Sequence, residues 1–144
     1  MRTTRHLLLS LLVALAAWAC LVSDALSGNY VLVAIEDQDL PARVPDTQFS
    51  VTNGSLQLLA DGSFVLRYST YDSTSVSRSF TAVLSGTYDS QDGPTVEFSS
   101  TELTIEGSQT TEPDKPFFGT VQGDTLTLTD PNDVDWMFRK AHPL

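Results

Sequence analysis

The chain has 144 residues, enough for one domain, and 41% of them are hydrophobic against 18% charged, a balance too apolar for a disordered chain. With 8 Lys and Arg against 18 Asp and Glu, the formal charge is -10, which argues against nucleic acid as a partner. A single Cys excludes an internal disulfide and a cysteine-built metal cluster.

Residues 1–19 read as an address. Arg2 and Arg5 give a positive start, and Leu7 to Ala19 is apolar except for Ser10. This run is shorter than the ~20 residues of a comfortable bilayer span, and it matches a secretory signal helix. It ends in Ala17-Trp18-Ala19-Cys20. Ala17 and Ala19 suit an A-x-A cleavage site, while the same four residues resemble a bacterial lipobox in which Cys20 is acylated. Two readings stand side by side: a lipid anchor at Cys20, or plain secretion with a cut there or after Ala25. An acylated Cys20 would carry two chains on its diacylglycerol, enough for stable anchoring. The expected organisation is a signal peptide over 1–19, a tether over 20–27 and a folded domain over 28–141.

After Leu26 no helical stripe of useful length occurs, and period-two alternation takes over. The run 30–35 is apolar on both phases, as in a strand covered on two sides. Residues 41–45, bounded by Pro41 and Pro45, read as a loop. Asn53-Gly54 marks a turn. Leu56, Leu58 and Ala60 form one strand face, Asp61-Gly62 turns the chain, and Phe64, Leu66 and Tyr68 return it. Phe80, Ala82, Leu84, Gly86 and Tyr88 make a long one-sided series that ends at Asp92-Gly93-Pro94. Val96 and Phe98 follow, then Leu103 and Ile105. The polar, Pro-rich stretch 108–116 reads as a mobile loop beside the barrel mouth. Gly123-Asp124 separates Phe117, Gly119 and Val121 from Leu126 and Leu128. Asp130 to Asp133 then turns the chain into Val134, Trp136 and Phe138.

This amounts to about eight to ten short strands at roughly 8–12-residue spacing, the signature of an all-β meander. Short links favour antiparallel neighbours, and such a meander hides its edges best by closing into an up-and-down barrel. Eight aromatic positions fall on the proposed inner face: Tyr30, Phe64, Tyr68, Phe80, Tyr88, Phe98, Trp136 and Phe138. They either line an apolar pocket at the barrel mouth or fill the core solid.

Gly28-Asn29-Tyr30, Leu40-Pro41, Ala60 to Phe64, Ser85 to Tyr88, Gly119 to Val121, Gly123 to Leu128 and Phe138-Arg139-Lys140 together resemble small bacterial lipocalin-like envelope proteins. The likeness covers most of the stretch from Gly28 to Lys140. Lipocalins open with Gly-x-Trp and close on an Arg packed across that Trp. The matching positions are Gly28-x-Tyr30, with Tyr for Trp, and Arg139. The resemblance implies that Arg139 closes the barrel against Tyr30. It also implies a small apolar ligand and, from Leu21 after Cys20, an outer-membrane or cell-surface location, the alternative being periplasmic or secreted.

Enzymatic chemistry finds little to work with. There is no Gly-x-Ser-x-Gly elbow, no Gly-rich phosphate loop, and His142 sits at the chain end. Asp130, Asn132, Asp133 and Asp135 bunch together but lack the Gly and distant Glu of an EF-hand loop, so they read as a turn. Glu97, Glu102 and Glu106 read as solvent-facing strand residues. The expectation is a non-enzymatic protein with no cofactor and no metal. It binds a small apolar ligand or, alternatively, acts as a filled-barrel interaction protein of the envelope.

Overall fold

The computed structural model describes residues 25–72, 74–90, 93–106, 108–110 and 116–142; the signal segment, Cys20 and most of the tether lie outside these. The alternating stretches become β1 (Gly28–Ile35), β2 (Gln38–Asp39), β3 (Ala42–Arg43), β4 (Phe49–Leu58), β5 (Ser63–Asp72), β6 (Ser75–Ser90), β7 (Thr95–Ile105), β8 (Ser108–Thr110), β9 (Phe117–Gln122), β10 (Thr125–Thr129) and β11 (Asp135–Lys140). Eight of them pair antiparallel in the ring β1–β4–β5–β6–β7–β9–β10–β11 and back to β1, a closed up-and-down barrel. The short β2, β3 and β8 attach to β1, β4 and β7. Closure leaves no long unpaired edge.

β1 makes the closure. Gly28 to Val31 pair with Leu58 to Ser55 of β4, and Tyr30 to Ile35 pair with Lys140 to Trp136 of β11. The run 30–35 is not covered on both faces as its composition implied. Tyr30 and Leu32 point inward at 2% and 3% exposure, while Val31 is 50% exposed on the outside. A bulge between Leu32 and Ala34 then slips the phase by one residue and brings Ile35 back inside.

The cation at this closure is Lys140, not Arg139. Lys140 is in register with Tyr30, its Nζ lies 5.7 Å from the Tyr30 ring centroid, and it donates to the Ala25 carbonyl at 3.1 Å. Arg139 stands opposite Val31 on the exposed outer face. Alternation decides this: Phe138 must face in, so Arg139 faces out and Lys140 faces in.

The turns follow their residues with some amendments. Asp61-Gly62 does join β4 to β5, in a loop where Gly62 N donates to Leu59 O at 3.1 Å and Gly62 takes φ 84°. Asp61 Oδ1 accepts from Ser63 N and Oγ at 2.9 and 2.6 Å. Those bonds hold the Asp61 carboxyl below its ordinary value, the side-chain bond most of all. Asn53-Gly54 is no turn. It lies inside β4, where a bulge between Val51 and Asn53 absorbs it and Gly54 lets the Leu32 side chain approach. Residues 41–45 contain β3, and Ala42 in it is fully buried. Of 108–116, residues 108–110 form β8 and 111–115 lie outside the described residues. The two expected strands at 96–98 and 103–105 are one strand, β7, with a bulge between its pairings at Ser100 and Glu102.

The core occupies the barrel interior unevenly. At one end Phe98 stacks on Phe117 at 5.1 Å with 7° between planes, and Phe64 meets both edge-on at 5.3 and 5.8 Å. Tyr30, Leu58, Leu126 and Phe138 fill the space around them, each at most 2% exposed. Residues 25–26 cover this end: the Tyr30 hydroxyl donates to Leu26 O at 2.7 Å, and Leu26 packs on the core. The Tyr88 hydroxyl likewise donates to Leu59 O at 2.7 Å.

Candidate functional site

The inward series of β7 runs Val96, Phe98, Ser100, and then the bulge shifts it to Leu103 and Ile105. Phe98 fills the barrel, but the Ser100 side chain one step further cannot. The consequence is a cavity of about 370 Å³ in the other half of the barrel, lined by Leu66, Tyr68, Leu84, Ser100, Leu103, Phe117, Leu128, Asp130, Pro131, Asn132 and Trp136. That is at the small end of the range for ligand sites. Phe117 belongs to both halves, as the edge of the aromatic cluster and the floor of the cavity.

The Asp130 turn builds one wall. Asp130 Oδ1 accepts from Asn132 N at 2.8 Å and Val134 N at 3.1 Å, and Oδ2 accepts from Trp136 Nε1 at 3.2 Å. Asp133 closes the turn with its N on Asp130 O at 3.0 Å and φ 61°. The aspartate-rich stretch is therefore a turn that orients an indole. An N–H bond lies in the ring plane, so the carboxylate holds the Trp136 edge and leaves its faces to the interior. Tyr68 meets that indole at 5.3 Å with 61° between planes.

A second cavity, of about 490 Å³, lies further along the same wall, lined by Gln48, Phe49, Asp72, Ser79, Phe80, Ile105 and Glu106. Asp72 lies four residues beyond Tyr68 on β5, Phe80 four before Leu84 on β6, and Ile105 two after Leu103 on β7. Phe80 meets Phe49 edge-on at 5.4 Å. Between the cavities Thr70 is 3% exposed, and its hydroxyl has no hydrogen-bond partner among the described residues.

The eight inward aromatics thus divide. Tyr30, Phe64, Tyr88, Phe98 and Phe138 belong to the filled half, Tyr68 and Trp136 line the cavity, and Phe80 lines the second one. Pocket and packed core, posed as alternatives, are both present at different depths. Sequence reading missed the leucines, Ser100 and the Asp130–Asn132 wall as lining. The signal for Ser100 was there: a small polar residue in the inward phase directly after Val96 and Phe98. Cys20 lies outside the described residues. Comparison of the chain with protein-family models and with curated proteins finds no match.

Proposed function

We propose that the protein is an exported, lipocalin-like cell-envelope barrel that binds a small apolar ligand without transforming it. The observation that carries this reading is the cavity of about 370 Å³, walled by leucines and two aromatic rings and floored by Phe117. The export segment and Cys20 support an address at the outer membrane or cell surface, with a lipid on Cys20 as tether. Residues 25–26 enter at the filled end, so a tether there leaves the cavity turned away from the bilayer.

The test is a titration of the protein isolated from its own membranes with N-phenyl-1-naphthylamine. Saturable quenching of Trp136, together with a small molecule released in native mass spectrometry, is the expected outcome. A protein that arrives empty and quenches with nothing overturns the reading and leaves the envelope interaction protein in its place. Mass spectrometry of the native N-terminus tests the anchor: an unmodified N-terminus other than Cys20 removes it.

A further inference from the structure

We infer that the ligand carried by this cavity is a cationic amphiphile, and that carboxylate-headed lipids are turned away. The inference rests on the binding reading above and adds the charge of the ligand's head.

Among the described residues that line the cavity, Asp130 is the one Asp, Glu, Lys or Arg. The Lys and Arg side chains that the structure describes sit elsewhere. Arg67 and Arg139 are exposed on the outer face, Arg43 Nε donates to Thr47 O at 2.9 Å, and Lys140 closes the opposite end over Tyr30. An anionic head drawn into this cavity meets no counter-charge among the described residues that line it and loses its water, a large penalty. A cationic head meets the reverse. The Asp130 carboxylate stands at the cavity wall, and the Trp136 indole it orients stands against Tyr68. A carboxylate beside two aromatic rings is the combination that holds an alkylammonium: charge attraction from one, quadrupole attraction from the others. The apolar chain of the ligand then lies against Leu66, Leu84, Leu103 and Leu128. The formal charge of -10 attracts the same ions from solution.

The experiment displaces N-phenyl-1-naphthylamine from the full chain with three ligands of equal chain length: decyltrimethylammonium, 1-decanol and decanoate. The ammonium is expected to bind about tenfold more tightly than the alcohol, and decanoate more weakly than either. Raising sodium chloride should narrow the gap between ammonium and alcohol. Asp130→Asn should close most of it, read as the ratio of the ammonium and alcohol affinities within the variant. If that variant fails to fold, the salt titration of the parent protein decides alone. Decanol bound as well as the ammonium, or decanoate bound best, overturns the inference and leaves the apolar site standing. Displacement by none of the three overturns the binding reading itself, and this inference with it.

Discussion

Two neighbouring cations on β11 separate what a residue's type says from what its phase does. Lys140 reaches Tyr30 and the Ala25 carbonyl, whereas Arg139 faces solvent opposite Val31. Lys140→Ala is therefore expected to destabilise the barrel by about 0.5–1 kcal/mol and Arg139→Ala by almost nothing, read from paired denaturant midpoints. Resemblance pointed to Arg139, and counting alternate residues onward from Phe138 would have moved the role by one. Tyr30 itself carries a pH dependence. Burial first, then the charges of Tyr88 and Asp124, push its hydroxyl above the ordinary tyrosine value. The folded protein thus holds a proton that the unfolded chain releases. That stability is fully present below about pH 10 and declines as the pH rises beyond it. Tyr30→Phe should flatten the alkaline limb of a stability–pH curve while costing about 1 kcal/mol at neutral pH through the lost bond to Leu26.

Strands and turns show which features alternation reveals and which it conceals. β5, β9, β10 and β11 are legible because their phase is unbroken and their turns carry Gly or Asp at positive φ, as at Gly62, Gly123 and Asp133. Bulges are concealed, because a one-residue slip reads as the end of one strand and the start of another. That is why β7 looked like two strands, whereas Asn53-Gly54 looked like a turn from its residue types, although β4 stays laddered to β5 on both sides of the slip. The bulge in β7 also tightens the approach of β6. Gly86 pairs with Phe64 on one side and Ser100 on the other, and a Cβ there would run into the Ser99 carbonyl and lie 2.8 Å from Ser100 Cα. Gly86→Ala is expected to cost about 3 kcal/mol in guanidinium unfolding. Gly93→Ala, at φ 77° with open space around it, should cost only the conformational penalty of about 1 kcal/mol.

The barrel as a whole is half solid and half open, and the two halves should answer mutation differently. Phe98→Ala empties the centre of the aromatic cluster and is expected to cost about 3–5 kcal/mol. Leu84→Phe pushes into open space, so it should leave the melting temperature near that of the parent while sharply reducing quenching of Trp136 by N-phenyl-1-naphthylamine. Thermal melts with and without the fluorophore check both. The all-β barrel was legible in the sequence because closure is the general answer to many short antiparallel strands. The site was legible only in part. Alternation marks Tyr68, Trp136 and Phe98 alike as inward, but depth along the axis depends on how eight strands are staggered against one another, and no local pattern encodes that stagger. Asp130 was read rightly as part of a turn, which is local, but its hold on Trp136 depends on where β11 begins and was not legible.

The seam between β1 and β11 has a consequence in time. Glu36 and Asp135 bond backbone to backbone at 3.0 Å, and the Glu36 carboxylate accepts Asp135 N at 2.7 Å across 99 residues of chain. Closing a loop of that length comes late, since its entropy is lost before the seam returns any contact. The β4–β7 hairpins need only neighbouring residues and form early. The strand synthesised first therefore waits for the strand synthesised last, with Tyr30, Leu32 and Ile35 lacking their β11 partners in the interval. Pulsed hydrogen exchange during refolding is expected to protect the Leu66 and Leu84 amides well before those of Leu32 and Phe138. Simultaneous protection of all four would mean that the seam closes with the hairpins.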